Sequence, residues 1–338
     1  MTFQTIALFG ATGQVGNCIL RALLGCKRQS FTVVAFISPN SRSSKKLQIQ
    51  IAEQAQHVET YAFDLTTARR EDLAAALRDV DVVVSALNGK ALEAQGLIQD
   101  AAADAGVRRF YPSEYGMHHV YRKPGDPGGY VHPMWNVKDR CNEQALRHPA
   151  VRSGQMTYTL IGCGDFYNQD GEKVWCPWTQ RDVDRYTLHI IGDPDARADY
   201  THLDDFAAYL VATLCEPDKS ANATLNFPSD HISHNEIAAL LQRYSGRPVE
   251  KDLIPHGEMH RVVADPSRAP RELQGASSFP VDFWFLVKGI QGEGRFWRPK
   301  GQTHNHLFPE VQTTTFERYF QQRFAWSDGT AADVPVGP

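Results

Sequence analysis

No stretch of about 18 consecutive apolar residues occurs anywhere in the 338-residue chain, so the sequence offers no membrane-spanning helix. The N-terminus enters an apolar strand pattern at once, which argues against a secretory signal. Cysteine is sparse and scattered: Cys18, Cys26, Cys141, Cys163, Cys176 and Cys215 contain no CxxC pair. They outline no metal site and fit packed thiols in a reducing, cytoplasmic compartment. An excess of positive charge is missing too. Lys and Arg number 35 against 39 Asp and Glu, a formal charge of −4, so nothing suggests a nucleic-acid footprint. Neither a Gly-x-Ser-x-Gly elbow nor a Cys/His nucleophile pattern is present, and hydrolase chemistry has no support. Internal repeats are absent as well.

What the chain does have begins at its start. Residues 5–17 read Thr-Ile-Ala-Leu-Phe-Gly-Ala-Thr-Gly-Gln-Val-Gly-Asn, an apolar run that breaks into Gly10, Gly13 and Gly16. The pattern predicts a buried parallel strand ending at Phe9 and a helix beginning near Gln14. Glycines between them permit a tight turn and a close approach of backbone to a pyrophosphate resting on the helix N-terminus. Three glycines alone can mark an ordinary loop. The strand before and the helix after supply the context that points to a dinucleotide. The second strand, Phe31 to Ile37, ends not in an acid but in Ser38, with Arg42, Lys45 and Lys46 beyond it. Asp or Glu there would accept from an NAD ribose 2′-hydroxyl. Cations suit a 2′-phosphate and therefore NADPH, although a solvated basic turn is the plain alternative.

Strand and helix signals then alternate, as a doubly wound sheet requires. Val80 to Leu87 reads as a strand ending in small residues, Ala91 to Ala105 as a helix, and strands start at Arg109 and Tyr158. Tyr200 to Leu214 reads as a helix with Thr201 as its N-cap. Residues 117–133 are Gly-, Pro- and His-rich and too long for a plain connector. Alternation weakens after about residue 225. Asn235 to Tyr244 remains a short amphipathic helix, and Val281 to Ile290 a buried helix or lid. His304-Asn305-His306 offers two imidazoles with no third ligand at motif spacing, a structural element rather than a metal centre. The tail, residues 326–338, is expected to be disordered.

Several of these stretches occur in a familiar order. They are the glycine turn at 10–16, Arg109-Phe110-Tyr111-Pro112-Ser113-Glu114-Tyr115-Gly116, Lys138, Tyr158-Thr159 with Phe166, Val287-Lys288-Gly289, and Leu307-Phe308-Pro309-Glu310-Val311. Together they resemble the NmrA-like branch of the atypical short-chain dehydrogenases, in particular the isoflavone reductase and phenylcoumaran benzylic ether reductase group, over about residues 3–324. The octet at 109–116 is far more specific than the glycine turn. The resemblance implies an α/β fold: a Rossmann-type doubly wound parallel sheet with a smaller C-terminal α/β substrate-binding domain. Residues 1–165 plus about 196–228 would form the first domain, and about 166–195 and 229–325 the second. The implied chemistry is hydride delivery from NADPH to a conjugated or benzylic carbon of an aromatic or polyketide-type small molecule.

Carried over position by position, the resemblance makes Gly10, Thr12, Gly13, Gln14, Val15 and Gly16 the pyrophosphate cradle. Ser38, Arg42 and Lys45 fall near the 2′-phosphate, Ser85 and Ala86 along the cofactor, and Asp165 and Phe166 near the nicotinamide. Lys138, early on a helix over Asn136 to Arg147, takes the position of the family's catalytic lysine, able to hold the cofactor and exchange a proton. Without the resemblance it would read as a solvated surface charge. Met117, His118, Tyr121 and Tyr167 would line the substrate, and His118 or His119 could donate a proton near neutral pH, though a loop histidine is as readily an ordinary surface residue. Three departures stand out. Met134 replaces the tyrosine that ordinary short-chain dehydrogenases carry four residues before the lysine, Gly164-Asp165 replaces the family's Asn ahead of Phe166, and residues 147–153 look inserted. The expectation is a cytoplasmic NADPH-dependent reductase, monomeric or homodimeric, with a small-molecule substrate and neither nucleic-acid nor membrane partners. A redox-sensing regulator without turnover and a co-opted fold doing non-redox cyclisation, isomerisation or dehydration are the alternatives.

Overall fold

The computed structural model describes residues 2–39, 57–116 and 132–325. Two compact units share the chain. The first comprises Met1–Gly162, Phe206–Asn226 and His304–Val311, and the second Cys163–Asp205, Phe227–Thr303 and Gln312–Pro338.

The first unit is organised on parallel strands β1 (Thr5–Phe9), β2 (Thr32–Ile37), β3 (Val58–Ala62), β4 (Val82–Ser85), β5 (Arg109–Tyr111) and β6 (Thr157–Gly162). Three strands belong to the second unit, β7 (Asp165–Phe166), β8 (Tyr186–Ile191) and β9 (Arg197–Thr201), before β10 (Ala223–Asn226) returns to the first. The seven-stranded order is β10-β6-β5-β4-β1-β2-β3. This is a Rossmann-type doubly wound sheet, with its reversal point between β1 and β4. Strands buried on both faces need apolar residues throughout, and Val82, Val83, Val84 and Ser85 are all buried. On one face Ala7, Phe9, Phe36, Val83 and Phe110 pack with Leu73, Ile98, Ala101 and Cys141 from the helices Arg70–Ala76, Gln95–Asp104 and Pro133–Arg147.

Helix boundaries follow local chemistry. Gln14–Leu24 buries Gly16, Ile19, Leu20 and Leu23, spaced i, i+3, i+4, i+7 on one face. The helix expected from Ala91 starts as a tighter 3-10 turn, Gly89–Ala94, after Gly89 takes φ +56°, and becomes α-helical only at Gln95. Pro133 occupies the first position of its helix and His132 caps it, with Nδ1 accepting from the Met134 N–H at 3.2 Å. That moves the start three residues ahead of the expected Asn136.

In the second unit β9 sits between β11 (Asp230–Ser233, antiparallel) and β7 (parallel), while β12 (Val249–Ile254) pairs with β8 in parallel. The helix expected from Tyr200 begins instead at Leu203. Tyr200 and Thr201 complete β9, and the Thr201 hydroxyl accepts from the Gly164 N–H at 2.8 Å and donates to the Phe227 carbonyl at 3.1 Å. Asn168 Oδ1 and His202 Nδ1 receive the first helical N–H groups instead, those of Leu203 and Asp204. His234–Ser245 opens on a capping box between Ser233 and Glu236. Val281–Gly292 is the core helix, with Trp284, Phe285, Leu286 and Ile290 inside. Among the described residues no helix is long and apolar enough to cross a membrane.

Candidate active site

The site of the first unit is assembled at the carboxyl ends of β1, β4 and β5. Gly10 leaves β1 at φ +84°, and a Cβ there would lie 2.5 Å from the Ala86 carbonyl oxygen. Gly16 backs onto the same turn, where a Cβ would lie 2.1 Å from the Gly10 carbonyl oxygen. Its N–H donating to that carbonyl at 2.9 Å, Gly13 then serves as the helix N-cap. The first helical turn has no side-chain cap and no acidic residue, while Gly13 and Gln14 are exposed. Only bare backbone fits the turn, and the positive end of the helix lies open beside it. These are the requirements of a pyrophosphate cradle.

β4 delivers the next wall. Ser85 is fully buried at the strand's end, opposite Phe9 in register, and its Oγ has no hydrogen-bond partner among the described residues. An unpartnered buried hydroxyl is uncommon in a native protein, and its place beside the glycine turn suits a polar ligand. Ala86 follows, its N–H donating to the Phe9 carbonyl at 2.8 Å. The dinucleotide cofactor therefore fits the residues present at the β1 and β4 edges.

From there a continuous path leads to Lys138. The Ser113 hydroxyl donates to the Leu87 carbonyl at 2.6 Å, and the Ser113 N–H donates to Gln95 Oε1 at 2.8 Å. Glu114 is fully buried and its carboxylate accepts from the Asn142 amide. Its backbone carbonyl accepts from Lys138 Nζ at 2.7 Å. Lys138 is half-buried, so the lysine is docked on the β5 loop and is not a free surface cation. Tyr115 comes next with φ +50°, a left-handed conformation that a bulky residue adopts only under constraint. Its ring meets Phe206 edge-on with centroids 4.7 Å apart. Met134 stands one helical turn before Lys138, so this helix supplies no phenol there.

The start of the octet has a different job. Arg109 is 2% exposed and bonds Thr157 Oγ1, the Pro217 carbonyl and Ser220 Oγ, each at 2.8 Å. Tyr111 reaches Thr213 at 3.0 Å. These two hold β5 in the sheet, whereas Ser113 and Glu114 make the contacts that lead to Lys138.

Other expected positions are distributed as follows. Thr12, Val15 and Ala86 belong to the turn and its wall, and Ser38 is exposed at the end of β2. Arg42, Lys45, Met117, His118, His119 and Tyr121 lie outside the described residues. Asp165 and Phe166 form β7 in the second unit. The Asp165 carboxylate accepts from Lys288 Nζ and Gln291 Nε2, both at 2.8 Å, and Gln291 Oε1 accepts from the Tyr200 hydroxyl at 3.2 Å. Tyr167 is 1% exposed, donates its hydroxyl to the Thr314 carbonyl and stacks on Phe316 at 4.1 Å. Burial pushes its phenol well above the usual range. His304 accepts from the Asn226 N–H through Nδ1 at 3.0 Å.

Sequence reasoning passed over Ser113, Glu114 and Asn142 as individual site residues. It also missed a cavity of about 760 Å³ in the second unit, lined by Tyr186, His202, Arg247, Tyr319 and Arg323 among others. These positions come from four separate segments, and no local spacing signals them.

Comparison with known proteins gives three kinds of likeness. The model of the NmrA-like family matches residues 2–281. The chain is 26% identical over 322 residues to phenylcoumaran benzylic ether reductase PT1 of Pinus taeda, covering 93% of this chain and 96% of that one. It is 26% identical over 321 residues to isoeugenol synthase 1 of Clarkia breweri, covering 93% of each. Among solved structures, the binary complex of leucoanthocyanidin reductase with NADPH from Vitis vinifera superposes with a TM-score of 0.72 at 18% identity, over 95% of this chain and 99% of that one.

Proposed function

Because the chain belongs to the NmrA-like family, we propose that it is an NADPH-dependent oxidoreductase delivering hydride to a conjugated or benzylic carbon of an aromatic or polyketide-type small molecule. The observation that carries this reading is the contact path Gly10–Ala86–Leu87–Ser113–Glu114–Lys138, which brings the glycine turn and the lysine to one edge of the sheet.

NADPH, when bound, supplies the hydride. Gly10, Thr12, Gly13, Gln14, Val15 and Gly16 would hold the pyrophosphate, and Ser85 and Ala86 would border the cofactor. Ser38, Arg42 and Lys45 are assigned to the 2′-phosphate end. The Glu114 carbonyl fixes Lys138 Nζ, which carries the proton that neutralises the substrate oxygen as an enone or quinone-methide acceptor is reduced. The substrate gains a C–H bond at carbon and an O–H bond at oxygen. Met134 in place of a tyrosine supports the reduction of an activated double bond over oxidation of an alcohol. The named activities of the Pinus and Clarkia relatives support an aromatic, phenylpropanoid-like acceptor.

The test is NADPH consumption against a panel of phenolic enones, quinone-methide precursors and benzylic ethers, read together with product. Stoichiometric oxidation is expected, with Lys138→Ala lowering kcat by about 10²- to 10⁴-fold. Tight NADPH binding with no turnover anywhere in the panel would instead favour a sensor.

A further inference from the structure

The second unit holds a cluster of side chains that the reaction does not use. The backbone of His256 is already helical (φ −53°, ψ −35°) and precedes the helix Gly257–Ala264. His256 and His260 are therefore one turn apart on the same face, with ring centroids 5.5 Å apart. The helix Val281–Gly292 lies against this one. At Gly289 a Cβ would come within 2.1 Å of Met259 Sδ, so the two backbones approach closely. Glu293 follows directly as the C-cap of the second helix. The close approach brings Glu293 Oε1 to 3.0 Å from His256 Nε2.

We propose that His256, His260 and Glu293 form a binding site for a borderline-soft divalent cation of the Zn²⁺ type, with water completing its coordination. One ligand atom from each of the three residues lies within 4.8 Å of the others. Bonds of about 2.0–2.2 Å to one tetrahedral ion set ligands roughly 3.3–3.6 Å apart, so rotamer changes that draw the three groups together by about an ångström close the sphere. Two imidazoles with one carboxylate select zinc-like transition metals over calcium or magnesium, which take all-oxygen sets. His256 Nε2 is sealed from solvent and has no aligned hydrogen bond among the described residues despite its closeness to Glu293, as a ring nitrogen poised for an ion would be. Arg295 Nη1 holds Glu293 Oε2 at 3.0 Å, fixing the carboxylate with Oε1 toward the histidines, the part that outer partners of a metal ligand play. The ion would pin the helix Gly257–Ala264 to the end of the core helix.

The experiment uses the untagged full chain, stripped with a chelator, titrated with Zn²⁺ by calorimetry and with Co²⁺ by visible absorption. One equivalent should bind, with a tetrahedral-type Co²⁺ spectrum and a Zn²⁺-dependent rise in Tm. Even outer partners of a ligand are worth about 10- to 100-fold in affinity, so His260→Ala and Glu293→Gln should each weaken binding by roughly 100-fold or more. Comparing the Tm of each metal-free variant with that of metal-free wild type separates a lost ligand from a lost structural contact. Binding that survives unchanged in both variants, or no saturable binding by wild type, overturns the proposal.

Discussion

Gly10 and Gly16 meet the same carbonyl-lined turn from opposite sides, and neither tolerates a methyl group. Alanine at position 10 would have to hold φ +84°, which costs a non-glycine residue about 1–2 kcal/mol, and displace the Ala86 carbonyl as well. We expect Gly10→Ala and Gly16→Ala to weaken NADPH binding by roughly tenfold or more, followed by fluorescence titration. Gly13→Ala should be milder, since its Cβ would be 3.3 Å from the Gly10 carbonyl oxygen. Equal binding by all three variants would mean that this turn does not cradle the cofactor. These glycines were legible in the sequence because the constraint is local: strand, turn and helix are contiguous. Lys138 was legible only through the family resemblance. Its anchor is the Glu114 carbonyl, 24 residues earlier, and a backbone acceptor leaves no mark in a sequence.

Among the elements, the apolar strands β1, β2, β4, β5 and β6 were read more accurately than the helix starts, whereas the exposed β3 and the strands from β7 onward were not read as strands. Strand identity comes from apolar runs, whereas a start depends on which groups receive its first N–H donors. Thr201 has the chemistry of a cap, yet the β9 ladder uses it, and Asn168 from a distant loop takes over. At the other end of the sheet from the site, Asp81 joins three strand entries. It accepts from the Gln4 and Thr5 N–H groups at 2.6 and 3.0 Å and pairs with Arg108 at 2.5 Å. Burial pushes its carboxyl up, but the two backbone donors and the guanidinium outweigh that and hold it below the usual carboxylate range. A folded pKa below the unfolded value means stability that is full above about pH 4 and is lost as pH falls through the folded pKa. Asp81→Asn should therefore lose about 1–2 kcal/mol at neutral pH and show a flatter acid limb in pH-dependent denaturation. Its NADPH affinity should be unchanged. An identical acid limb in both proteins would remove Asp81 from the account.

At the scale of the whole chain, the buried pair Lys288–Asp165 shows what a sequence withholds. Both residues were visible, one in the stretch Val287-Lys288-Gly289 and the other as an odd departure before Phe166. Their pairing, 123 residues apart at 2.8 Å, was not, because only the folded second unit brings them together. With side chains 5% and 10% exposed, removing one partner strands the other charge. Lys288→Met should cost about 3–5 kcal/mol in chemical denaturation, and Lys288→Met with Asp165→Asn should regain much of it. A single-variant loss within the scatter of ordinary surface substitutions, about 0.5 kcal/mol, would contradict the pairing. The interleaving of the units matters in a different way, during synthesis on the ribosome. β6 is complete at Gly162, but its outer neighbour β10 begins only at Ala223. At roughly 5–20 residues per second, the nascent sheet presents a bare strand edge for several seconds while the first part of the second unit is made. Such an edge can recruit a strand from another chain, and neighbouring nascent chains on one message supply that strand in its most concentrated form. How fast translation passes through residues 163–222 therefore bears directly on how much of the protein escapes aggregation.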